Sequence, residues 1–556
     1  MSAKPRIMDR VSYVSSTANN EKDKELETGY IGAVTPTVEG GALRGGGAPH
    51  LLSKQTLGLL AQYAAVGMVY GSLPSLIYPF LTNYLNMEGT ATTSATALLS
   101  IPWSLKVFIG MLSDNFPIFG YRRRPFMVFG WTMCSICLFV MAFMPMPKPY
   151  FIKPEYRDLD VSELIDGVTV REDSPDKGAK YIILMMLASL GYVIADVASD
   201  AVVVEYAQRE PEEIRGRTQT AIYTVRTLFS TVAAATMAFG LNGKDYGGDW
   251  DRTMSFSNYM LVLAIFCIPV IFMTWMFVHE EKVAKPNFKQ YISTLWEAIQ
   301  SRAFYQVIAF NFFFNLFSNQ GYIASNPIQN YWAKATNLNY NISNVIGNLV
   351  FAAMLAVTGK VGLAWNWRWM VGTTAVIMVA IDAIFTMITV WDVFRNQWFW
   401  LGGPIVEQVP YGVQFIISTY VVVELAGYGN EGACYGLLTT VSNLSQPFAN
   451  TITKNIDGGF DVSNKDIISD TDHVRSQVTI TIWIAYACKL FALVFLVLLP
   501  SQKKAVQELK LNGGSNKHIG AFTVFYCIFA LVWSIMTNLL GIFESTKCLS
   551  IVGGCP

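Results

Sequence analysis

Apolar and polar positions along this chain fall into long blocks instead of the short alternations of a water-soluble fold. Thirteen apolar runs lie near 57–85, 93–113, 125–146, 180–206, 219–241, 256–278, 303–332, 341–363, 368–391, 398–424, 431–455, 477–500 and 519–543. A bilayer core about 30 Å thick takes about 20 apolar residues per helix, so each run is long enough to cross it. The pattern predicts an all-α integral membrane protein with twelve spans and an extra C-terminal transmembrane helix. The connection at 279–302, expected to be a cytosolic linker, separates a six-helix half over 51–278 from a second over 303–500. Residues 501–556 then supply a basic loop, the thirteenth helix and a tail. Two such halves around a midplane site are an architecture of secondary transporters. Residues 1–50 are polar, with "EKDKELE" and "GGALRGGG", and predict a disordered cytosolic tail.

Composition agrees with the pattern. Of 556 residues 52% are hydrophobic and only 14% charged, too few to cover a soluble surface. The formal net charge is zero, so no overall field favours nucleic acid as a partner. Lysine and arginine concentrate in alternate connections: Arg122–Arg124, then Arg209 to Arg217, then Lys282 to Arg302, then Lys503 to Lys517. The positive-inside rule makes these cytosolic, with the N-terminus inside and the C-terminus, carrying Cys548 and Cys555, outside. No Arg- and Ser-rich transit peptide is present, which favours the plasma membrane. All four histidines lie outside or at the edges of the runs, and no Gly-x-x-x-x-Gly-Lys-[Ser/Thr] motif occurs. That argues against an enzyme, a His-based metal site or ATP as energy source, and leaves an ion gradient with no cofactor.

A charge at membrane depth is costly and needs a partner or a wet cavity. Asp196 and Asp200 are spaced i, i+4 on one face of the fourth span. Rise per residue puts Lys106 of span two and Arg226 of span five at similar depth, roughly 12–13 Å from the basic end. The four are expected to form one mutually compensating cluster, with Lys106 or Arg226 binding an anion and Asp196 or Asp200 taking up a proton. In the second half Asp382, Glu407 and Lys489 are also at depth but cannot be paired from sequence. Asn311, Asn315 and Asn319, and likewise Asn443, Gln446 and Asn450, form four-residue polar stripes that either line a cavity or knit helices. At the basic end Asp114, Arg122, Arg123, Glu205 and Arg215 gather around the ends of spans two to five and predict a gate of exchangeable ion pairs.

The stretches "PWSLKVFIGMLSDNFPIFGYRRRPF" at 102–126 and "DVASDAVVVEYAQREPEEIRGRTQT" at 196–220 resemble signature blocks of the folate–biopterin transporter family, a branch of the major facilitator superfamily. The likeness extends over roughly 57–505. It implies a major-facilitator-type bundle that moves folate, biopterin or a similar metabolite by proton symport and alternating access, as a monomer in the lipid bilayer. Some members carry S-adenosylmethionine, and a nutrient receptor on the same fold is the alternative of a different class. Val107 stands where members often have proline, which puts the kink of span two in question.

Overall fold

The computed structural model describes residues 39–552 apart from 88, 159–162, 164, 249, 252, 428–430, 463, 541–545 and 547–548. Among these residues there are helices and isolated bridges but no strand. The first half contains α1 (Lys54–Ser72), prolonged by irregular turns to Tyr84, then α2 (Gly89–Ser104) and α3 (Lys106–Asn115). It continues with α4 (Arg124–Phe143), α5 (Ala179–Gln208), α6 (Arg217–Gly240) and α7 (Phe256–Phe277). The linker contains α8 (Phe288–Gln300), whose buried Tyr291, Leu295 and Ile299 repeat at the helical spacing of one face. The second half is α9 (Arg302–Ser318), α10 (Asn337–Val361), α11 (Trp367–Val390), α12 (Gln397–Leu425), α13 (Glu431–Asp457) and α14 (Asp472–Phe491). A short helix α15 (Lys503–Asn512) leads to α16 (Lys517–Leu540), which occupies the thirteenth run.

By length and hydropathy, nine helical segments among the described residues can cross a membrane. The remaining runs are helical too, but broken or polar. The second is split at Leu105, where Pro102 sits inside α2 and the Leu105 N–H reaches back to the Pro102 carbonyl at 3.1 Å. The kink therefore exists without a proline at 107, and it places Lys106 on the first turn of α3. α12 contains Pro404 and Pro410, and α13 contains Pro447.

The halves meet at the basic end, where α3 packs on α13 and α6 on α10. At Gly110 an added Cβ would lie 2.3 Å from the Gly432 carbonyl oxygen, so these helices touch through bare backbone. Within the first half, a Cβ on Gly67 would lie 2.1 Å from the Arg226 carbonyl oxygen, and Ser230 Oγ donates to the Gly67 carbonyl at 3.0 Å. That close approach fixes α6 against α1 and sets where Arg226 stands.

One expectation needs correction. The disordered tail expected over 1–50 does not extend to residue 50: residues 39–50 are bound to the basic end, with Leu43 and Arg44 N–H groups on the Gln208 carbonyl at 2.9 and 3.0 Å. The glycines of "GGALRGGG" permit this path, with Gly40, Gly41, Gly46 and Gly47 all at positive φ. Residues 1–38, Cys548 and Cys555 lie outside the described residues.

Candidate functional site

A cavity of about 2660 Å³ lies between the halves. It runs from Lys106 and Asp200 to the non-basic end of the bundle, where Tyr246, Asn319 and Asn341 line it. At its inner end Lys106 Nζ contacts Asp196 Oδ2 at 2.5 Å and Asp200 Oδ2 at 3.0 Å. All three side chains are buried. The Asp200 Oδ1 atom accepts the Tyr63 hydroxyl at 2.5 Å, while the buried Asp196 Oδ1 has no hydrogen-bond partner among the described residues. The Trp103 ring lies 4.5 Å from Lys106 Nζ, and its indole N–H donates to the Tyr192 hydroxyl at 3.0 Å. Two carboxylates thus share one ammonium at the cavity wall, a set that carries one negative charge in excess when both acids are ionised.

Arg226 stands apart from this triad. Its guanidinium lies 4.7 Å from the Tyr223 ring and 5.9 Å from the Phe415 ring, lines the cavity, and makes no ion pair within the described residues. The expected four-member cluster is therefore a triad plus a separate cation. Rise along the helices brings Lys106, Asp196 and Asp200 together, but it does not specify azimuth around the bundle, and α6 turns Arg226 toward its aromatic neighbours.

In the second half Asn311, Asn315, Asn443, Gln446 and Lys489 all line the same cavity, as do Asp382 and Glu407. The stripes also make local bonds: Asn315 donates to the Asn311 carbonyl at 2.7 Å and Gln446 to Asn450 Oδ1 at 2.9 Å. Lys489 Nζ is 4.0 Å from Asp382 Oδ2, and Thr386 donates to the other Asp382 oxygen at 3.2 Å.

The basic end is closed by interlocked charges. Arg123, fully buried, pairs with Asp114 at 2.6 Å, Glu431 at 3.2 Å and Glu205 at 3.7 Å, and donates to Ser113 at 2.8 Å. Arg122 reaches Glu205 at 4.0 Å. The Asp114 carboxylate crosses to the other half, accepting the Ala433 N–H at 2.8 Å and the Gly432 N–H at 3.3 Å at the start of α13, where helix N–H groups favour negative charge. Tyr291 of α8 donates to the same carboxylate at 3.0 Å, and burial beside that charge pushes the phenol well above its usual range.

Arg215 belongs to a second cluster. It binds Glu424 at 2.6 and 2.8 Å, and Glu424 also accepts from Gln507 of α15 at 2.6 Å. Lys503 of α15 donates to the Glu212 carbonyl at 2.8 Å, and burial pushes its ammonium down to about 8. Glu210 caps α6, accepting the N–H groups of Gly216, Arg217 and Thr218 at 2.8–3.2 Å, with burial raising its carboxyl against those bonds. Glu280 does the same for α4, accepting the N–H groups of Arg122, Arg123 and Arg124.

Sequence reasoning missed Arg44, Glu280, Glu424, Glu431 and Tyr291. Arg44 pairs with Glu205 at 3.3 Å and with Glu431, so the bound N-terminal segment inserts a cation between the halves. The available signal was an acid at each edge of an apolar run, at Glu280, Glu424 and Glu431. For Arg44, in a glycine-rich stretch, there was none.

The sequence model described as the BT1 family matches residues 67–152 and 167–518. A folate-biopterin transporter of a Synechocystis species is 21% identical over 405 residues, covering 71% of this chain and 72% of that protein. Folate transporter 1 of Plasmodium falciparum is 36% identical over 64 residues, 12% of each chain. Among solved structures, a D-xylose–proton symporter superposes with a TM-score of 0.52 at 13% identity, covering 81% of this chain and 98% of that one. The human organic anion transporter MFSD10 gives 0.50 at 13% identity, covering 80% and 98%. The shared fold is that of the major facilitator superfamily.

Proposed function

The chain belongs to the BT1 family, and from that premise we propose that it is a secondary active transporter of folate- or pterin-type metabolites, driven by protons through alternating access. The observation that carries the reading is the buried Lys106–Asp196–Asp200 triad at the inner end of a cavity whose other side is shut by exchangeable ion pairs. An apolar contact would join α3 and α5 at lower cost, so a charged triad there suits a site that changes its protonation. Arg226 offsets the triad's excess negative charge across the cavity. When an anionic group of the substrate takes Arg226 through charge-assisted bonds, that offset is lost, and a proton on Asp196 or Asp200 restores the balance. Substrate and proton then raise each other's affinity by the same factor, which is the linkage a symporter needs.

In this reading the structure is the state open away from the basic end. Return requires the Arg123 and Arg215 clusters to part while the cavity closes over its load. The basic end faces the cytosol by the positive-inside rule, in the plasma membrane, with the monomer as the working unit and no cofactor. Uptake of labelled folate, biopterin and S-adenosylmethionine into proteoliposomes tests it. We expect an inward proton gradient to stimulate folate or biopterin uptake, and Asp200→Asn to abolish that stimulation in protein still correctly inserted. Gradient-driven uptake of neither pterin by intact wild type would sink the reading.

A further inference from the structure

Two charges in the cavity lack a contact ion-pair partner among the described residues, and they stand on opposite halves: Asp196 acts on Arg226 and Lys489 on Glu407, but neither within ion-pair distance. Arg226 on α6 makes no ion pair, as described, and the Glu407 carboxylate on α12 makes neither hydrogen bond nor ion pair among the described residues. A charge at this depth is retained at a cost, so each is poised for a group that is not part of the protein. The path between them is aromatic. Glu407, Tyr411 and Phe415 follow at i, i+4 and i+8 along α12, and all three line the cavity. Phe415 is the ring 5.9 Å from Arg226, and the Phe351 ring lies 5.4 Å from Tyr411 and 5.6 Å from Phe415. Tyr411 remains 43% exposed although it faces the interior of the bundle. At 1.5 Å per residue, Glu407 stands about 12 Å along the helix from Phe415.

We propose that Arg226 and Glu407 are the two poles of one elongated ligand and that Glu407 is the specificity-determining residue for its far end. The ligand has an anionic group at one end, an edge with adjacent N–H donors or a cationic nitrogen at the other, and a flat aromatic body lying along Tyr411 and Phe415. A carboxylate accepts two parallel N–H groups, as it does from a guanidinium, and a ring face takes the body. A compact neutral heterocycle engages only Glu407, and a short acidic molecule only Arg226. The one ligand that bridges both halves is the one that draws them together. This deepens the transport reading and rests on it.

Binding to the purified full chain in nanodiscs tests the assignment with three probes: folate, which has both ends; biopterin, which has the N–H-rich ring without the anion; and p-aminobenzoylglutamate, which has the anion without that ring. Wild type is expected to bind folate more tightly than either fragment. Glu407→Gln should weaken folate and biopterin about tenfold to a hundredfold, the range for a lost charge-assisted hydrogen bond, and leave p-aminobenzoylglutamate unchanged. Arg226→Gln should do the converse, sparing biopterin. Glu407→Asp, measured beside them, should recover part of the loss and shows that the site still folds. If both fragments respond alike to each variant, or Glu407→Gln changes neither, the two-pole assignment is overturned while the pterin reading stands. If wild type binds none of the three probes, the pterin reading itself fails and the assignment falls with it.

Discussion

The two charged regions of this molecule are built on opposite rules. At the basic end Arg44, Arg122 and Arg123 face Asp114, Glu205 and Glu431, and each of the six has an ion-pair partner. In the cavity the Lys106 triad has two acids to one ammonium, and Arg226 and Glu407 make no contact ion pair among the described residues. The closed end pairs its charges directly. The cavity leaves some of its charges without direct partners, and that difference, more than burial, is what the proposed roles of latch and binding site rest on, since both regions are buried.

Substitutions can break or sharpen this contrast. The largest effect is expected from Arg123→Met, which takes from Asp114 its ion-pair partner and leaves Glu431 with Arg44. Removing one member of a buried pair costs about 3–5 kcal/mol, so thermal unfolding should fall by several degrees and cysteines placed in the seam should become reactive. A seam that stays closed and stable without Arg123 would refute the latch. Arg44→Ala removes a largely buried bridge but leaves Glu205 and Glu431 paired with Arg123, so it should cost about 1.5–3 kcal/mol, less than Arg123→Met, and show as faster labelling of the same seam cysteines. Arg226→Met should change stability by about 2 kcal/mol or less, because ring contacts and a non-contact attraction to Asp196 are lost but no ion pair is, yet stop uptake. A destabilisation as large as that of Arg123→Met would mean that Arg226 is structural.

The smallest effect concerns α15. The Lys503 ammonium titrates at about 8 when docked, against an ordinary 10.5 when free. Between those values the undocked form binds more protons, so docking strengthens as pH rises from 8 toward 10.5 and loses that support as pH falls through 8. Hydrogen exchange of α15 across this range should show the trend in wild type and not in Lys503→Met.

The architecture was legible because bilayer thickness imposes run length: most helices start and stop within a few residues of the hydropathy runs, while α1 gives way to irregular turns after Ser72, Leu105 splits the second run, and α9 stops at Ser318, well short of the end of the run at 332. The Lys106–Asp196–Asp200 triad was legible because rise along a helix converts residue number into depth. Arg215 shows the limit of that reasoning. Its partner Glu424 is 209 residues away in the other half, and nothing local in either segment names the other. The same holds for Asp114 and the first turn of α13, where the attraction is to backbone N–H groups that leave no mark in the sequence.

The backbone of the bound segment at 39–50 bonds to the first half: the Gly40 and Pro49 carbonyls accept from the Glu212 N–H and, at 3.1 Å, from the Arg217 side chain, and the Leu43 and Arg44 N–H groups donate to the Gln208 carbonyl. The Arg44 side chain reaches across, to Glu431. The segment is therefore a passenger of one half that holds the other through Arg44. Under the alternating access proposed above, opening of the seam would leave it with α5 and part it from α13, so a fluorophore near Leu43 paired with a quencher near Glu431 is expected to blink once per transport cycle.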